Sequence, residues 1–381
     1  MKKDPYKHKE RYLLWKEKTG KRISEISTQN SSIILRYLQD MEQGINVGVS
    51  KGSRSYIRLN NLKQRMIFLA KTFEETFKLK DITKISEKEI FNFFNDMRNG
   101  EFKKMNGKEY KSPSDFVKVF KAFWHWWIKI NRKEGKAIAD ITLDLDTSSD
   151  KPKWVYLTEE EVKLLCDNSK QDYKALLMFL FDSGVRSPTE VLNIRVSDFY
   201  NDFKEVHIRE EISKTFGRRI KLLLCPDIIK GYVKSEELTK DDYLFDFKPG
   251  TVNKYLKRLA TKLLGDKASP AGKKYSELTM YHFRHCSCCY WLPKYKSESA
   301  LKYRFGWKKS DKIHYYSEML GMKDTISEED MLDDLTKTEL ERRLNKSEKE
   351  KGILIERVDN MENQMKQMLE LMNRNIVTIS K

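Results

Sequence analysis

The chain has 381 residues, enough for two or three domains and a sizeable core, and 74 Lys plus Arg against 57 Asp plus Glu give it a formal charge of +17. A charge of that sign, spread along the whole length, attracts polyanions. Nucleic acid is the commonest of these, with a merely soluble basic protein or a binder of acidic membranes as the blander readings. No apolar run approaches the roughly 20 residues needed to cross a bilayer, so no helical membrane span is expected.

The opening "MKKDPYKHKERYLLWKEKTGKR" is charged throughout and lacks the apolar core of a signal peptide. Five cysteines, three of them crowded at Cys286, Cys288 and Cys289, do not look like a disulfide framework. The expectation is a cytoplasmic, reduced, DNA-associated protein. Residues 1–30, basic and weakly periodic, read as an N-terminal tail.

From Ser31 the period turns helical, and residues 31–132 read as a compact helical domain. "LNNLKQRMIFLAKTF" sets Leu59, Leu62, Met66, Leu69 and Phe73 on one stripe. "ISEKEIFNFFNDMRNG" offers Ser86 as N-cap, Glu89 as its box partner and Gly100 as the stop. "SPSDFVKVFKAFWHWWIKI" stacks Phe116, Phe120, Phe123 and Trp127 at helical spacing; such a stripe is more often core than a base-stacking surface.

Residues 133–153 have the Gly, Ser, Pro and charge mixture of a linker. A second region, 154–326, opens at "LTEEEVKLLCD", where Thr158 caps and Glu161 closes the box. "DYKALLMFLFDSGVRSPTEVLNIRVSDF" reads as an apolar helix, a turn at Gly184 and another helix. "EVHIREEISKTFGRRIKLLLC" alternates and reads as a β-hairpin turning near Gly217, after which helices resume. In residues 330–379, Leu354, Val358, Met361, Met365, Met368 and Met372 form a four-three seam. Leu340 and Leu344 extend its phase backwards, Ser347 and Lys351 are polar gaps, and Gly352 is a weak point. A C-terminal coiled coil or long helix with an oligomeric role is expected; a helix folded back on the body is the alternative.

The chemistry is bounded by what is scarce. There is no Walker loop, no paired-carboxylate cluster to hold Mg²⁺ and no Ser on a nucleophile elbow. The run "HFRHCSCC" has no second half to complete a zinc site, and its cysteines read as small buried helix residues. Phosphate chemistry without a metal needs arginine forks on the non-bridging oxygens, a nucleophile, and a proton donor for the departing oxygen. Arg186 after the Gly184 turn, Arg284 among Tyr281, His282 and His285, and Lys214 on the hairpin offer these groups. The pair Tyr315–Tyr316 offers phenols, poor nucleophiles at an ordinary pKa of about 10.

These residues resemble the tyrosine recombinases, or phage-type integrases. "SGVRSPTEVLNIRVSDF" is similar to the family's first arginine box, "SKTFGRRIKLL" to its hairpin-lysine segment, "LTMYHFRHCSCCYWL" to its second box and "FGWKKSDKIHYYSEM" to the segment ending at the nucleophile, all in the family's order. The resemblance implies a mainly α fold with a small antiparallel β-hairpin or sheet: a helical core-binding domain, an α+β catalytic domain and the C-terminal coiled coil. It implies a site-specific recombinase that cuts and rejoins double-stranded DNA through a 3′-phosphotyrosine, as a tetramer on two sites, without cofactor, ATP or metal.

The family's nine-residue spacing from Trp307 gives Tyr316 as nucleophile and leaves Tyr315 as a packing neighbour. Arg186 and Arg284 would clamp the phosphate, Lys214 would protonate the leaving 5′ oxygen, and Trp307 would donate to a phosphate oxygen. His285 fits the supporting histidine, and Glu190 the acidic residue of the first box. Two departures stand out. Tyr281 occupies the position of the second box's first His, as in some integrases of archaeal viruses and plasmids, and "RSPTE" holds one extra residue between Arg186 and Glu190. The competing readings are a topoisomerase of the same nucleophile chemistry and a non-catalytic DNA-binding protein of the same fold.

Overall fold

The structure is a computed structural model that describes residues 3–45, 52–149, 151–295, 297–320, 346–352, 354–355, 357–359, 361–362 and 365. Met1–Lys312 forms one compact unit and Ile313–Lys381 another. Among the described residues no helix is long and apolar enough to cross a membrane.

The first unit begins with a helical layer. α1 (His8–Thr19) runs through the stretch expected to be a tail, and its Tyr12 is buried with Ile23 and Ile26 just beyond. The tail expectation is therefore corrected. α1 buries one side chain among charged neighbours, too few to leave a period in the sequence, while Tyr12 packs its ring against Tyr56 at 5.8 Å. α2 (Thr28–Gln43) is capped by the Ser27 side chain, which accepts from the Asn30 N–H. α3 (Tyr56–Phe77) buries the whole stripe Leu59, Leu62, Met66, Leu69 and Phe73. α4 (Glu87–Asn99) has the expected Ser86–Glu89 capping box and ends at Gly100 in the left-handed region.

α5 (Pro113–Lys133) turns Phe120, Phe123, Trp124 and Trp126 into the core, where Phe73 meets Phe93 edge to face at 5.1 Å. Of the expected stripe, Phe120 and Phe123 are buried in this core, whereas Phe116 and Trp127 are half-buried against it. The same core continues to Leu145 with Ile138 and Ile141 against it. Trp124 donates its indole N–H to the Ala139 carbonyl at 3.0 Å, so the first half of the expected linker is docked on α5.

The second half of this unit carries the candidate chemistry. α6 (Glu159–Asp167) has the Thr158–Glu161 capping box. α7 (Gln171–Ser183) ends at Gly184, whose φ of +61° lies in the left-handed region. The helix expected next does not form: turns run from 187 to 190, followed by single 3₁₀ turns at Val191–Asn193 and Val196–Asp198. Pro188 explains this, since it lacks an N–H and pushes Ser187 away from helical backbone.

β1 (Phe199–Tyr200), β2 (Glu205–Ile208) and β3 (Arg218–Lys221) form an antiparallel sheet in that order, with Ile208 opposite Arg218. The expected hairpin is β2–β3. α8 (Pro226–Ser235), α9 (Pro249–Leu264), α10 (Met280–Trp291) and α11 (Glu298–Phe305) complete this half, and α10 packs along α7.

Asp182 ties these elements together. One of its carboxylate oxygens accepts the N–H groups of Leu223, Leu224 and Cys225 at 2.9, 2.6 and 3.1 Å, and the other meets Arg304 at 3.1 Å. α12 (Asp311–Leu320) leads into the second unit. Of the expected seam there, Leu354, Val358, Met361 and Met365 lie on helical backbone, whereas Leu340, Leu344, Met368 and Met372 fall outside the described residues.

Candidate functional site

A helix leaves its last carbonyls without intrahelical partners and carries negative partial charge at that end. At the end of α11 three arginines meet these carbonyls. Arg218 Nε donates to the Arg304 carbonyl at 2.8 Å, Arg284 Nη2 to that of Phe305, and Arg186 Nη2 to that of Gly306 at 2.8 Å. Thr215 Oγ1 donates to the Gly306 carbonyl as well, at 2.9 Å. The turn after α7, the β2–β3 loop, β3 and α10 thus converge on three consecutive residues. Gly306 sits at φ +60°, and a Cβ there would lie 3.0 Å from Arg218 Nη1 and 3.2 Å from Thr215 Oγ1.

Glu190 lies beneath the first arginine and is buried. Its Oε1 accepts from Arg186 Nη1 at 2.7 Å and Arg218 Nη1 at 3.3 Å. Its Oε2 accepts from the Arg186 backbone N–H and from Arg218 Nη2, both at 2.8 Å. Burial pushes this carboxyl up, but the hydrogen bonds and charge of Arg218, followed by those of Arg186, bring it down to about 2. The Arg186 side chain keeps 17% exposure, whereas Arg218 has none. Arg284 also donates to the Gly184 carbonyl. Burial, then the like charge of Arg186, pulls it down to about 10, so it stays cationic at neutral pH.

Around this core, Trp307 stacks on Phe305 at 4.9 Å, and its ring centre lies 5.9 Å from the Arg284 guanidinium. Lys214 is exposed on the β2–β3 loop beside the anchored Thr215. Tyr281 stands one turn before Arg284 on α10, half exposed, with its ring edge-on to His285 at 5.2 Å; His285 in turn stacks on Trp154 at 4.8 Å. His282 faces away and caps its own helix, its Nδ1 accepting the Thr279 N–H at 3.1 Å. Burial, then Lys273 and Lys257, lowers it to about 4, so it is neutral. In α12 Tyr316 is buried and Tyr315 half-buried, their rings edge to face at 5.1 Å.

Sequence reading missed Arg218, Thr215 and the Gly306 carbonyl. A signal was present for Arg218: it shares the inward face of β3 with Ile220, so the strand period alone turns it toward the core.

No family model matches the chain. No curated protein matches it either. Solved structures do. The chain is similar to the Tn1549 transposon integrase in complex with circular intermediate DNA, at 14% identity and a TM-score of 0.54 over 74% of this chain and 94% of that one. It is similar to a lambda integrase dimer bound to a COC′ core site, at 14% identity and a TM-score of 0.54 over 77% and 96%. The XerH site-specific recombinase bound to palindromic difH substrate matches at 15% identity and a TM-score of 0.53 over 69% and 77%. The chain therefore has the fold of site-specific recombinases and integrases.

Proposed function

We propose that this protein is a tyrosine-type site-specific DNA recombinase, an integrase that integrates or excises a mobile element. The observation that carries the reading is the gathering of Arg186 and Arg284 on adjacent carbonyls, with Trp307 next in the chain, on a fold shared with DNA recombinases. Two guanidinium groups anchored on one strip of backbone suit the non-bridging oxygens of a single phosphate and the charge that builds on them during attack.

In the proposed reaction the Tyr316 hydroxyl gives up its proton to solvent water as its oxygen attacks the scissile phosphorus. The bond to the 5′ oxygen breaks, and Lys214 protonates that oxygen. Tyr281 hydrogen-bonds the phosphate or relays the nucleophile's proton, and His285 supports it. Trp307 donates its indole N–H to a phosphate oxygen. The bond energy stays in the 3′-phosphotyrosine, so a 5′ hydroxyl from a partner strand reverses the step without ATP. The arginines supply the charge that a metal would otherwise bring. The helical layer built on α1–α5 closes on duplex DNA opposite the site.

Strand exchange between two sites needs four copies, and self-association through the C-terminal helix supports that assembly. Leu354, Val358, Met361 and Met365 are 61, 52, 62 and 62% exposed on helical backbone, and their four-three spacing is that of a coiled-coil seam. Truncation after Ser327 is expected to weaken self-association in sedimentation more than single-site DNA binding; unchanged assembly contradicts this part.

The enzyme reading is tested with nicked duplexes selected by binding from a random-sequence pool, incubated in chelator. A covalent protein–DNA species and products exchanged between two duplexes are expected. Relaxation of supercoiled plasmid without exchanged products would instead identify a topoisomerase, and binding without any covalent species a non-catalytic DNA-binding protein.

A further inference from the structure

We propose that Arg218 is a positioning residue of the phosphate site, acting through Glu190 on Arg186; this rests on the recombinase reading above. Glu190 is a single buried negative charge between two guanidinium groups. Arg218 grips it with Nη1 and Nη2 from a fully buried position, while Arg186 grips it with one side-chain nitrogen and its backbone N–H. The three groups together carry one net positive charge, and the only one of them with appreciable exposure is Arg186, at 17%.

Without Arg218 the carboxylate has one cationic partner left. It would hold Arg186 as a closed, neutral pair and draw the fork away from a phosphate. Arg218 thus takes up enough of Glu190 to leave Arg186 aligned and its charge uncompensated. Its third anchor, from Nε to the Arg304 carbonyl, fixes this arrangement to the same helix end that holds Arg186 and Arg284.

A merely structural staple and a positioning residue differ in what rescues its loss. Removing the carboxylate charge leaves the Arg186 cation without a neutralising partner but gives back none of the packing of Arg218. The test measures covalent adduct formation on the nicked duplex, duplex binding and thermal midpoint for the full chain, wild type and variants. Arg218→Met is expected to retain duplex binding within about threefold and to lose at least about tenfold in adduct rate. Adding Glu190→Gln to Arg218→Met is expected to recover at least about threefold of that loss without raising the thermal midpoint. Arg218→Lys, which keeps the charge but not the fork, should fall between wild type and Arg218→Met; it supplies the comparison if Arg218→Met does not fold. A folded Arg218→Met with wild-type adduct rate overturns the proposal, as does a double variant no faster than the single. Absence of adduct from wild type overturns the recombinase reading instead, and with it this assignment.

Discussion

Gly184 has no room for a side chain: a Cβ would lie 2.3 Å from the Phe305 ring and 2.8 Å from Ser287 Oγ, at a φ of +61°. Gly184→Ala is therefore expected to cost about 2–4 kcal/mol, from overpacking plus left-handed backbone, measured as a lowered urea midpoint at unchanged slope. Two buried groups give the protein an acid-side pH dependence. His282 is depressed in the folded state to about 4, so the stability it contributes is present above its unfolded pKa of about 6.5 and is lost as pH falls toward 4. Glu190 is depressed to about 2, so its contribution stands above its unfolded pKa of about 4.3 and is lost as pH falls toward 2. His282→Gln should flatten the stability profile in the higher window alone, and Glu190→Gln in the lower one; profiles of unchanged slope would contradict these assignments. At this scale the sequence marked Arg186, Arg284 and Glu190 because they sit in recognisable runs. Arg218 escaped because its partner, Glu190, is 28 residues away and only the folded sheet edge brings them together.

The elements most legible in the sequence were those that state their own start and stop. α4 and α6 carry capping boxes, and α3 and α5 carry long apolar stripes, so local chemistry and core packing agree. α1 gave no such signal, since one buried tyrosine amid charged residues is not a period. The segment after Gly184 reads as helix by its apolar spacing, yet Pro188 breaks it and the Glu190 carboxylate takes over the Arg186 N–H. Along the expected C-terminal seam, Arg357 and Glu362 stand five residues apart on either side of it. In a parallel, in-register pair each faces the other's partner on the second copy, and Lys351 falls on a seam position that favours a defined register. Arg357→Glu is expected to weaken self-association about tenfold in sedimentation, and adding Glu362→Arg to restore it. A double variant as weak as the single would contradict parallel pairing.

For the molecule as a whole, +17 of net charge suits a protein that closes around a polyanion. Duplex affinity should fall about a thousandfold between roughly 50 and 200 mM salt, linearly on logarithmic axes, as phosphate contacts release counterions; a flat salt response would contradict DNA as partner. The fold class was legible because helices dominate and the β2–β3 hairpin alternates clearly. The docking of the segment after α5 was not, because it looks like linker by composition but packs Ile138, Ile141 and Leu145 onto the helical core. The central claim is that Tyr316 attacks the phosphate held by Arg186 and Arg284. The most direct measurement is peptide mapping of the nuclease-trimmed covalent adduct from wild type, Tyr315→Phe and Tyr316→Phe. The account requires a 3′-phosphonucleotide on Tyr316 in wild type and Tyr315→Phe, and none in Tyr316→Phe. An adduct that survives Tyr316→Phe, or maps to Tyr315, would contradict it.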